Sequence, residues 1–290
     1  MAAAKWGGMG WERDLPDFRD FTRRTPEVAA LLAKSQAVKK ALAAPPSKID
    51  LRQWCSPIKD QGQLGSCTAN AASGLMEYFE LHAFGTYLDG SRLFLYKVER
   101  DLLGWTGDQG AYLRTAMQAM VLFGVPPEKY WPYDIANYET EPNPFTYALG
   151  QDYKTTQYYR LDPPASQPAD VLTAIKTSLA GLLPCMFGFT VYSSFPQVGS
   201  GISDIPFPQS TDSVLGGHAV DAVGYDDGHQ IGSDQGALLI RNSWGTVWGD
   251  QGYGWMPYSY VLRGIAADFW TLVNASFVDT ELFKPPTNGG

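Results

Sequence analysis

Cysteine and histidine are scarce in this chain of 290 residues, which has three of each. Three cysteines cannot build a disulfide framework, and their spacing shows no C-x-x-C metal motif. The histidines are too scattered to predict a zinc site. We therefore expect no metal and no cofactor, and at least one free thiol, which suits a reducing compartment. The residues concerned are Cys55, Cys67, Cys185, His82, His218 and His229.

Long apolar runs and an excess of basic residues are also missing. No stretch approaches about 18 apolar residues, so no membrane span is predicted. The first residues contain no apolar core of signal-peptide length, so we expect a cytoplasmic protein by default, while another export route stays open. The net charge of -8, from 22 basic and 30 acidic residues, argues against nucleic-acid or anionic-membrane partners. The 44% hydrophobic content is that of a folded globular protein.

The most informative stretch is 61–79, with the sequence QGQLGSCTANAASGLMEYF. Glycines and small polar residues give way at Cys67 to apolar residues at helical spacing. This pattern predicts that Cys67 lies in the first turn of a buried helix, where the helix end favours a thiolate. A buried free cysteine often merely packs. Packing alone does not need the flanking glycines and polar residues, however, so Cys67 is the candidate nucleophile.

A second stretch, 216–242, contains two strand-like segments separated by a polar turn. A hairpin folded about Gln230 would set His218 directly opposite Asn242 on one face of the sheet. A lone histidine in an apolar strand is more often a satisfied core residue than a catalyst. Here the amide would fix one ring nitrogen and leave the other free for Cys67. A slip of one residue would separate the pair, so the register is a testable weakness.

The rest of the chain divides into a helical first part and a β-rich second part. We expect one leader helix from Thr25 to Ala43, ended by two prolines, and a domain boundary at about residues 44–48. Two packed subdomains with a cleft between them follow from this layout. The predicted elements are helices near 67–83, 113–123 and 169–182, a second apolar segment near 93–103, and strands near 153–161 and 185–192.

Three sequence blocks carry a family resemblance. They read QGxxGSC at 61–67, GHAVxAVGY at 217–225 and NSWGTxWGxxGY at 242–253, in that order. Together with IDLR at 49–52 and YWPY at 130–133, they resemble the papain-like cysteine peptidases, in particular their short-leader bacterial members. The resemblance implies an α+β papain-like fold, with a helical lobe (about 48–150) and a β-barrel-like lobe (about 151–290) flanking the active-site cleft. It also makes residues 1–47 a prosegment-like leader.

The resemblance assigns four catalytic roles. Cys67 would be the nucleophile and His218 its ion-pair partner, later the proton donor to the leaving amine. Asn242 would orient His218. The Gln61 amide and the backbone N–H of Cys67 would form the oxyanion hole. The implied activity is that of an endopeptidase on protein or peptide substrates, and we expect a monomer.

Substrate-binding residues are implied in the same way. Extended substrate would bind the backbone at Gly110 and Ala111, although the family has a glycine at the second position. Gly217 and Ala219 flank His218 and leave room for an apolar side chain. Trp244 would cover the hydrogen bond between His218 and Asn242, and Trp248 would line the leaving-group side.

The chain departs from the family pattern in two places. Thr68 follows the nucleophile where the family usually has tryptophan. Leu64 and Asp108 stand where the family usually has a pair of cysteines, so the disulfide that normally pins this loop is missing. Both losses are mutually consistent and fit reducing surroundings. Cys55 and Cys185 are predicted to be structural.

The leader and the chemistry each leave alternatives open. The leader is rich in aromatic residues that could fill substrate pockets and block the cleft, or it could be a permanent structural wrap. The aromatic residues are Trp6, Trp11, Phe18 and Phe21. An acyl transferase or transglutaminase would share the Cys–His chemistry. A non-catalytic peptide-binding module is disfavoured because all four polar site residues are present.

Overall fold

The computed structural model describes residues 7–155, 157–195 and 201–273. Within these ranges the chain forms eight α-helices and seven β-strands. The helices are α1 (Pro26–Leu32), α2 (Gln36–Ala43), α3 (Cys67–Phe84), α4 (Arg92–Leu103), α5 (Leu113–Leu122), α6 (Pro144–Gly150), α7 (Pro168–Ala180) and α8 (Ser259–Leu262). The strands are β1 (Lys48–Asp50), β2 (Tyr158–Arg160), β3 (Cys185–Tyr192), β4 (Val214–Ile231), β5 (Asp234–Arg241), β6 (Tyr253–Pro257) and β7 (Ala266–Leu272).

Helix α3 crosses the centre of the molecule and begins at Cys67, as the sequence predicts. Every residue from Cys67 to Phe79 is buried. Small residues make this burial feasible, because a Cβ atom at Gly74 would lie 1.8 Å from the Arg241 guanidinium, which comes from β5. The helix ends at Gly85, whose φ of 71° favours glycine. Helices α4 and α5 pack against it and complete the helical part of the fold.

The strands form one antiparallel sheet in the order β2-β7-β3-β4-β5-β6, with β1 added to β4. The fold is therefore α+β, as expected from the sequence. Among the described strands the sheet stays open, because β2 and β6 at its ends do not pair with each other. Helices α3 and α7 pack against the sheet, and six of the eight residues of β3 are buried. Within the three described ranges, none of the helices combines the length and apolar character that a membrane crossing requires.

The hairpin formed by β4 and β5 differs from its predicted register. Its turn lies between Ile231 and Asp234, and Asp221 pairs with Arg241. Bulges in β4 absorb extra residues between the turn and this pair. His218 is therefore a diagonal neighbour of Asn242, and the prediction of direct opposition was wrong by two residues. An even shift keeps both side chains on the same face.

Two further predictions are corrected in their lengths. The single leader helix is two short helices, because Ser35 adopts an extended conformation and caps α2 by accepting from the Val38 N–H at 3.2 Å. The strand expected near 153–161 shortens to β2, preceded by a 3₁₀ turn at 151–153. Both leader helices bury apolar residues and α2 packs against α7, so this part of the leader is docked on the rest of the chain.

Candidate active site

Cys67 lies at the point where the start of α3 meets strand β4. Its sulfur is within hydrogen-bonding reach of the backbone N–H groups of Ala219, Gly10 and its neighbour Thr68. Ala219 directly follows His218, so the fold brings the thiol from the helical part next to the histidine strand. Gly10 belongs to the leader. The thiol is fully buried in this arrangement.

His218 is held by Asn242 through one ring nitrogen. Its Nε2 lies 2.7 Å from Oδ1 of Asn242, and that oxygen also accepts from the Ser243 backbone N–H at 2.8 Å. Because the Asn242 oxygen only accepts, Nε2 must carry the proton. Nδ1 then keeps its lone pair, and it has no hydrogen-bond partner among the described residues. A histidine in this tautomer can accept a proton at Nδ1.

Trp244 covers this pair from one side. Its ring centre lies 4.6 Å from that of His218, with the planes tilted by 32°. Its expected role as a cover of the hydrogen bond between His218 and Asn242 stays a prediction. Trp248 lies behind it, fully buried and stacked on Phe195. In this arrangement Trp248 does not reach the surface, so its expected contact with the leaving group stays a prediction.

Burial keeps both reactive groups neutral in this form of the molecule. Desolvation raises the pKa of the Cys67 thiol from 9.0 to about 12, although backbone N–H groups oppose the shift. Desolvation lowers the pKa of His218 from 6.5 to about 4, opposed by its hydrogen bond to Asn242. At neutral pH the site therefore holds a thiol and an uncharged imidazole.

Gln61 has both ends of its side-chain amide fixed. Its Nε2 donates to the carbonyl oxygens of Gly8 and Leu64, each at 2.9 Å. Its Oε1 accepts from the Ser243 hydroxyl at 2.5 Å, and its backbone N–H donates to the Ser243 carbonyl at 2.9 Å. Ser243 was not singled out by the sequence analysis, although it lies inside the third sequence block. It links the Gln61 loop to the Asn242 segment.

The leader backbone runs along the two residues predicted to bind extended substrate. The Ala111 N–H donates to the Gly10 carbonyl at 2.8 Å, and the Glu12 N–H donates to the Ala111 carbonyl at 3.1 Å. Trp11 thus pairs with Ala111 in parallel orientation. A Cβ atom at Gly110 would lie 1.9 Å from the Gly10 carbonyl oxygen, so glycine is needed there for close approach.

The side chain of Trp11 fills a pocket beside His218. Its backbone N–H donates to the Gly217 carbonyl at 3.1 Å, and Cβ atoms at Gly217 or Gly188 would overlap it. The indole N–H donates to Asp268 Oδ2 at 3.2 Å. Only 6% of Trp11 is exposed.

The other leader aromatics do not behave as expected. Phe18 is 90% exposed and Phe21 is 43% exposed, so neither fills a pocket. Trp6 lies outside the described residues. The part of the leader that follows Trp11 is held by ion pairs instead. Arg114 pairs with Asp14 and, at 2.8 Å, with Asp20. Such pairs are not visible as a sequence pattern because their partners are about a hundred residues apart.

A buried carboxyl group that the sequence analysis missed contacts the residue that follows the nucleophile. The Thr68 hydroxyl donates to Oε1 of Glu99, on α4, at 2.7 Å. Desolvation raises the pKa of Glu99 to about 8, although the bond to Thr68 opposes the shift. Thr68 occupies the position where the family usually has tryptophan. That departure is the sequence feature that could have pointed to this contact.

The remaining cysteines are away from this chemistry. All three thiols are free, with Cys185 buried in β3 and Cys55 half-buried beside the Leu51 carbonyl. Within the described ranges, no three His, Cys, Asp or Glu side chains cluster as metal ligands would.

Known sequences match most of the chain. The family model for papain family cysteine proteases matches residues 45–269. A peptidase C1-like protein of Acanthamoeba polyphaga mimivirus is 36% identical over 230 residues, covering 77% of this chain and 71% of the relative. A cathepsin L-like proteinase of Fasciola hepatica is 31% identical over 218 residues, covering 72% of this chain. The matched part is 60% of the length of that relative.

Solved structures show the same fold. Xylellain, a cysteine protease from Xylella fastidiosa, aligns with a TM-score of 0.74 and 35% identity, covering 93% of this chain and 97% of xylellain. Bromelain from Ananas comosus aligns with a TM-score of 0.60 over 79% of this chain and its own whole length. At 23% identity, bromelain supports the fold alone.

Proposed function

The chain belongs to the papain family of cysteine proteases, and we propose that it is an endopeptidase that uses Cys67 as nucleophile and His218 as acid and base. The observation that carries this proposal is the hydrogen bond between His218 and Asn242 at 2.7 Å, with the Cys67 sulfur at the N–H of the next residue, Ala219. The orienting group is thus bonded to the base, and the nucleophile contacts the residue that follows that base, which supports covalent catalysis by these three groups.

The proposed reaction begins when the Cys67 thiol transfers its proton to His218. The thiolate attacks the substrate carbonyl carbon, and the charge that develops on oxygen is held by Nε2 of Gln61 and the Cys67 backbone N–H. The imidazolium then gives its proton to the leaving amine as the C–N bond breaks. Water, activated by His218, hydrolyses the acyl-enzyme and returns the thiol.

We further propose that the leader keeps the chain inactive. The Gly8 carbonyl already accepts from Gln61, the Gly10 N–H lies at the sulfur and Trp11 fills the pocket beside His218. The leader also runs opposite to a productive substrate. In a substrate, residues that precede the scissile carbonyl would bind at Ala111, whereas in the leader residues that follow Gly8 lie there. This opposite direction supports blocking rather than cleavage at this site.

Covalent labelling tests the nucleophile. The chain would be folded at full length with a site for a specific protease inserted in the exposed segment 44–47, and cut after folding. We expect an epoxide-type thiol inhibitor to label the cut chain and to abolish peptide hydrolysis. Cys67→Ser should lose both labelling and hydrolysis.

Cys55→Ser is the matched control for this experiment. Burial raises the pKa of the Cys55 thiol to about 11, so it should not react, and its replacement should leave labelling unchanged. Labelling that persists in Cys67→Ser, or hydrolysis that survives it, would contradict the proposal.

A further inference from the structure

We propose that Asp108 is a positioning residue for the proposed reaction, because its carboxylate ties the loop that carries Gln61 and Cys67 to the chain at Gly110. This inference rests on the proposed function and assigns a role in it to a residue that touches neither the substrate nor the reacting atoms. In the family a disulfide usually joins these two segments. At the positions of its two cysteines this chain has Leu64 and Asp108.

The first half of the link is made to the nucleophile loop. The backbone N–H of Gly65, two residues before Cys67, donates to Oδ1 and Oδ2 of Asp108 at 2.9 and 3.1 Å. A Cβ atom at position 65 would lie 2.8 Å from Oδ1. A glycine is therefore needed for the carboxylate to approach the backbone this closely.

The second half of the link passes through Tyr96. Its hydroxyl donates to Oδ1 of Asp108 at 2.5 Å and accepts from the Gly110 N–H at 3.2 Å. The Tyr96 side chain comes from α4 and its ring is fixed by the Arg100 guanidinium, 4.3 Å from the ring centre. A continuous chain of hydrogen bonds thus joins Gly65 to Gly110 through the acceptor oxygens of Asp108 and the hydroxyl of Tyr96.

Gly65 and Gly110 both contact the leader backbone at Gly10. A Cβ atom on leader residue Gly10 would lie 1.8 Å from the Gly65 carbonyl, and a Cβ atom on Gly110 would lie 1.9 Å from the Gly10 carbonyl. The leader backbone at Gly10 therefore contacts both ends of the link. Gln61 is linked to the same loop, since its Nε2 donates to the Leu64 carbonyl. A displacement of about 1 Å at a reacting centre can cost roughly a hundredfold in rate.

The test compares three variants in the chain folded at full length and then cut in segment 44–47. Asp108→Ala removes the acceptor, and kcat should fall at least about tenfold with a smaller change in KM. Asp108→Asn keeps an acceptor oxygen of the same size and should restore kcat to within about threefold of wild type. Tyr96→Phe breaks the second half of the link and should lower kcat by an intermediate factor. Rates are expressed per Cys67 thiol titrated with the epoxide inhibitor.

Combining the variants asks whether the link acts as one unit. Asp108→Ala with Tyr96→Phe should be hardly slower than Asp108→Ala alone, because residues in one network are not additive. Thermal unfolding is measured in parallel. An Asp108→Ala chain that is less stable but has an unchanged kcat would overturn the proposal, as would a loss that Asp108→Asn does not restore.

These outcomes are separable from failure of the proposed function. If the wild-type chain hydrolyses peptides and loses this activity in Cys67→Ser, an unaffected Asp108→Ala chain overturns the role of Asp108 alone. If the cut wild-type chain hydrolyses no peptide, the proposed function fails, and the positioning role fails with it.

Discussion

The carbonyl oxygen of leader residue Gly8 accepts a hydrogen bond of 2.9 Å from Nε2 of Gln61. The same N–H group is the one proposed to stabilise the charge on a substrate carbonyl. In the proposed mechanism a substrate carbonyl and the leader compete for this one donor, so the leader-bound and substrate-bound forms exclude each other. The predictions below use this competition.

Cutting the leader should switch on peptide hydrolysis. The full-length chain should hydrolyse a small peptide substrate slowly, and the rate should rise after cleavage in segment 44–47 and dilution. Adding back a synthetic peptide of residues 7–24 should suppress the rate again, because that segment contains the contacts to Gln61, Ala111 and Arg114. Equal rates before and after the cut would discard the inhibitory role in favour of a permanent wrap.

Trp11→Ala should raise the activity of the uncut chain. Loss of a buried tryptophan costs about 3 to 5 kcal/mol, and a tenfold change in binding corresponds to about 1.4 kcal/mol, so the leader should bind at least about a hundredfold more weakly. Activity of the uncut chain and the inhibition constant of the corresponding peptide measure the effect. Phe18→Ala is the matched control, because Phe18 is 90% exposed and should change neither value.

Gln61→Ala should lower kcat of the cut chain by at least about tenfold with the fold intact. Removal of one oxyanion donor costs roughly 10² to 10³ in rate elsewhere. Ser243→Ala removes only the hydroxyl that orients the amide, and its effect should be smaller. Steady-state kinetics and circular dichroism check the two variants, and undiminished turnover in Gln61→Ala would remove this residue from the mechanism.

The pH dependence of Cys67 alkylation should change when the leader is removed. In the covered chain, burial holds the thiol pKa near 12, so the rate with iodoacetamide should be low and rise with each pH unit from 6 to 10. In the cut chain, transfer of the proton to His218 should keep the thiolate at neutral pH and make the rate nearly flat from 6 to 8. His218→Gln should restore the ordinary rise toward a pKa of about 8.5. A cut wild-type chain that still shows the steep rise would contradict the ion pair.

Leader binding should weaken with salt and with loss of Arg114. This side chain is partly exposed and pairs with Asp14 and Asp20. Exposed pairs are worth about 0 to 1 kcal/mol each and these two are partly shielded from solvent, so Arg114→Gln should raise the inhibition constant of the 7–24 peptide by at least about threefold. The difference between wild type and Arg114→Gln should shrink as the salt concentration rises. A difference that is independent of salt would mean that the guanidinium acts by packing.

Local patterns in the sequence were enough for the elements that carry the reactive groups. The small, glycine-flanked run after residue 66 predicts a buried helix beginning at Cys67, because such a run fits closely against a sheet. The alternating apolar residues around His218 predict its strand, since side-chain direction in a strand has a period of two. That same period explains why Asn242 stays on the face of His218 despite a register error of two residues.

The sequence by itself determined the papain-like α+β fold, the family and the set of candidate reactive residues, because helix and strand periodicity and the three motif blocks are local properties of the chain. Only the tertiary structure decided which distant groups meet. It forms the hydrogen bond from Gln61 to the Gly8 carbonyl and the one from the Trp11 indole to Asp268. It also forms the hydrogen bond from the Gly65 N–H to Asp108. These contacts join residues separated by tens to hundreds of positions, and their partners are fixed by how whole elements pack, which no periodicity in the sequence records.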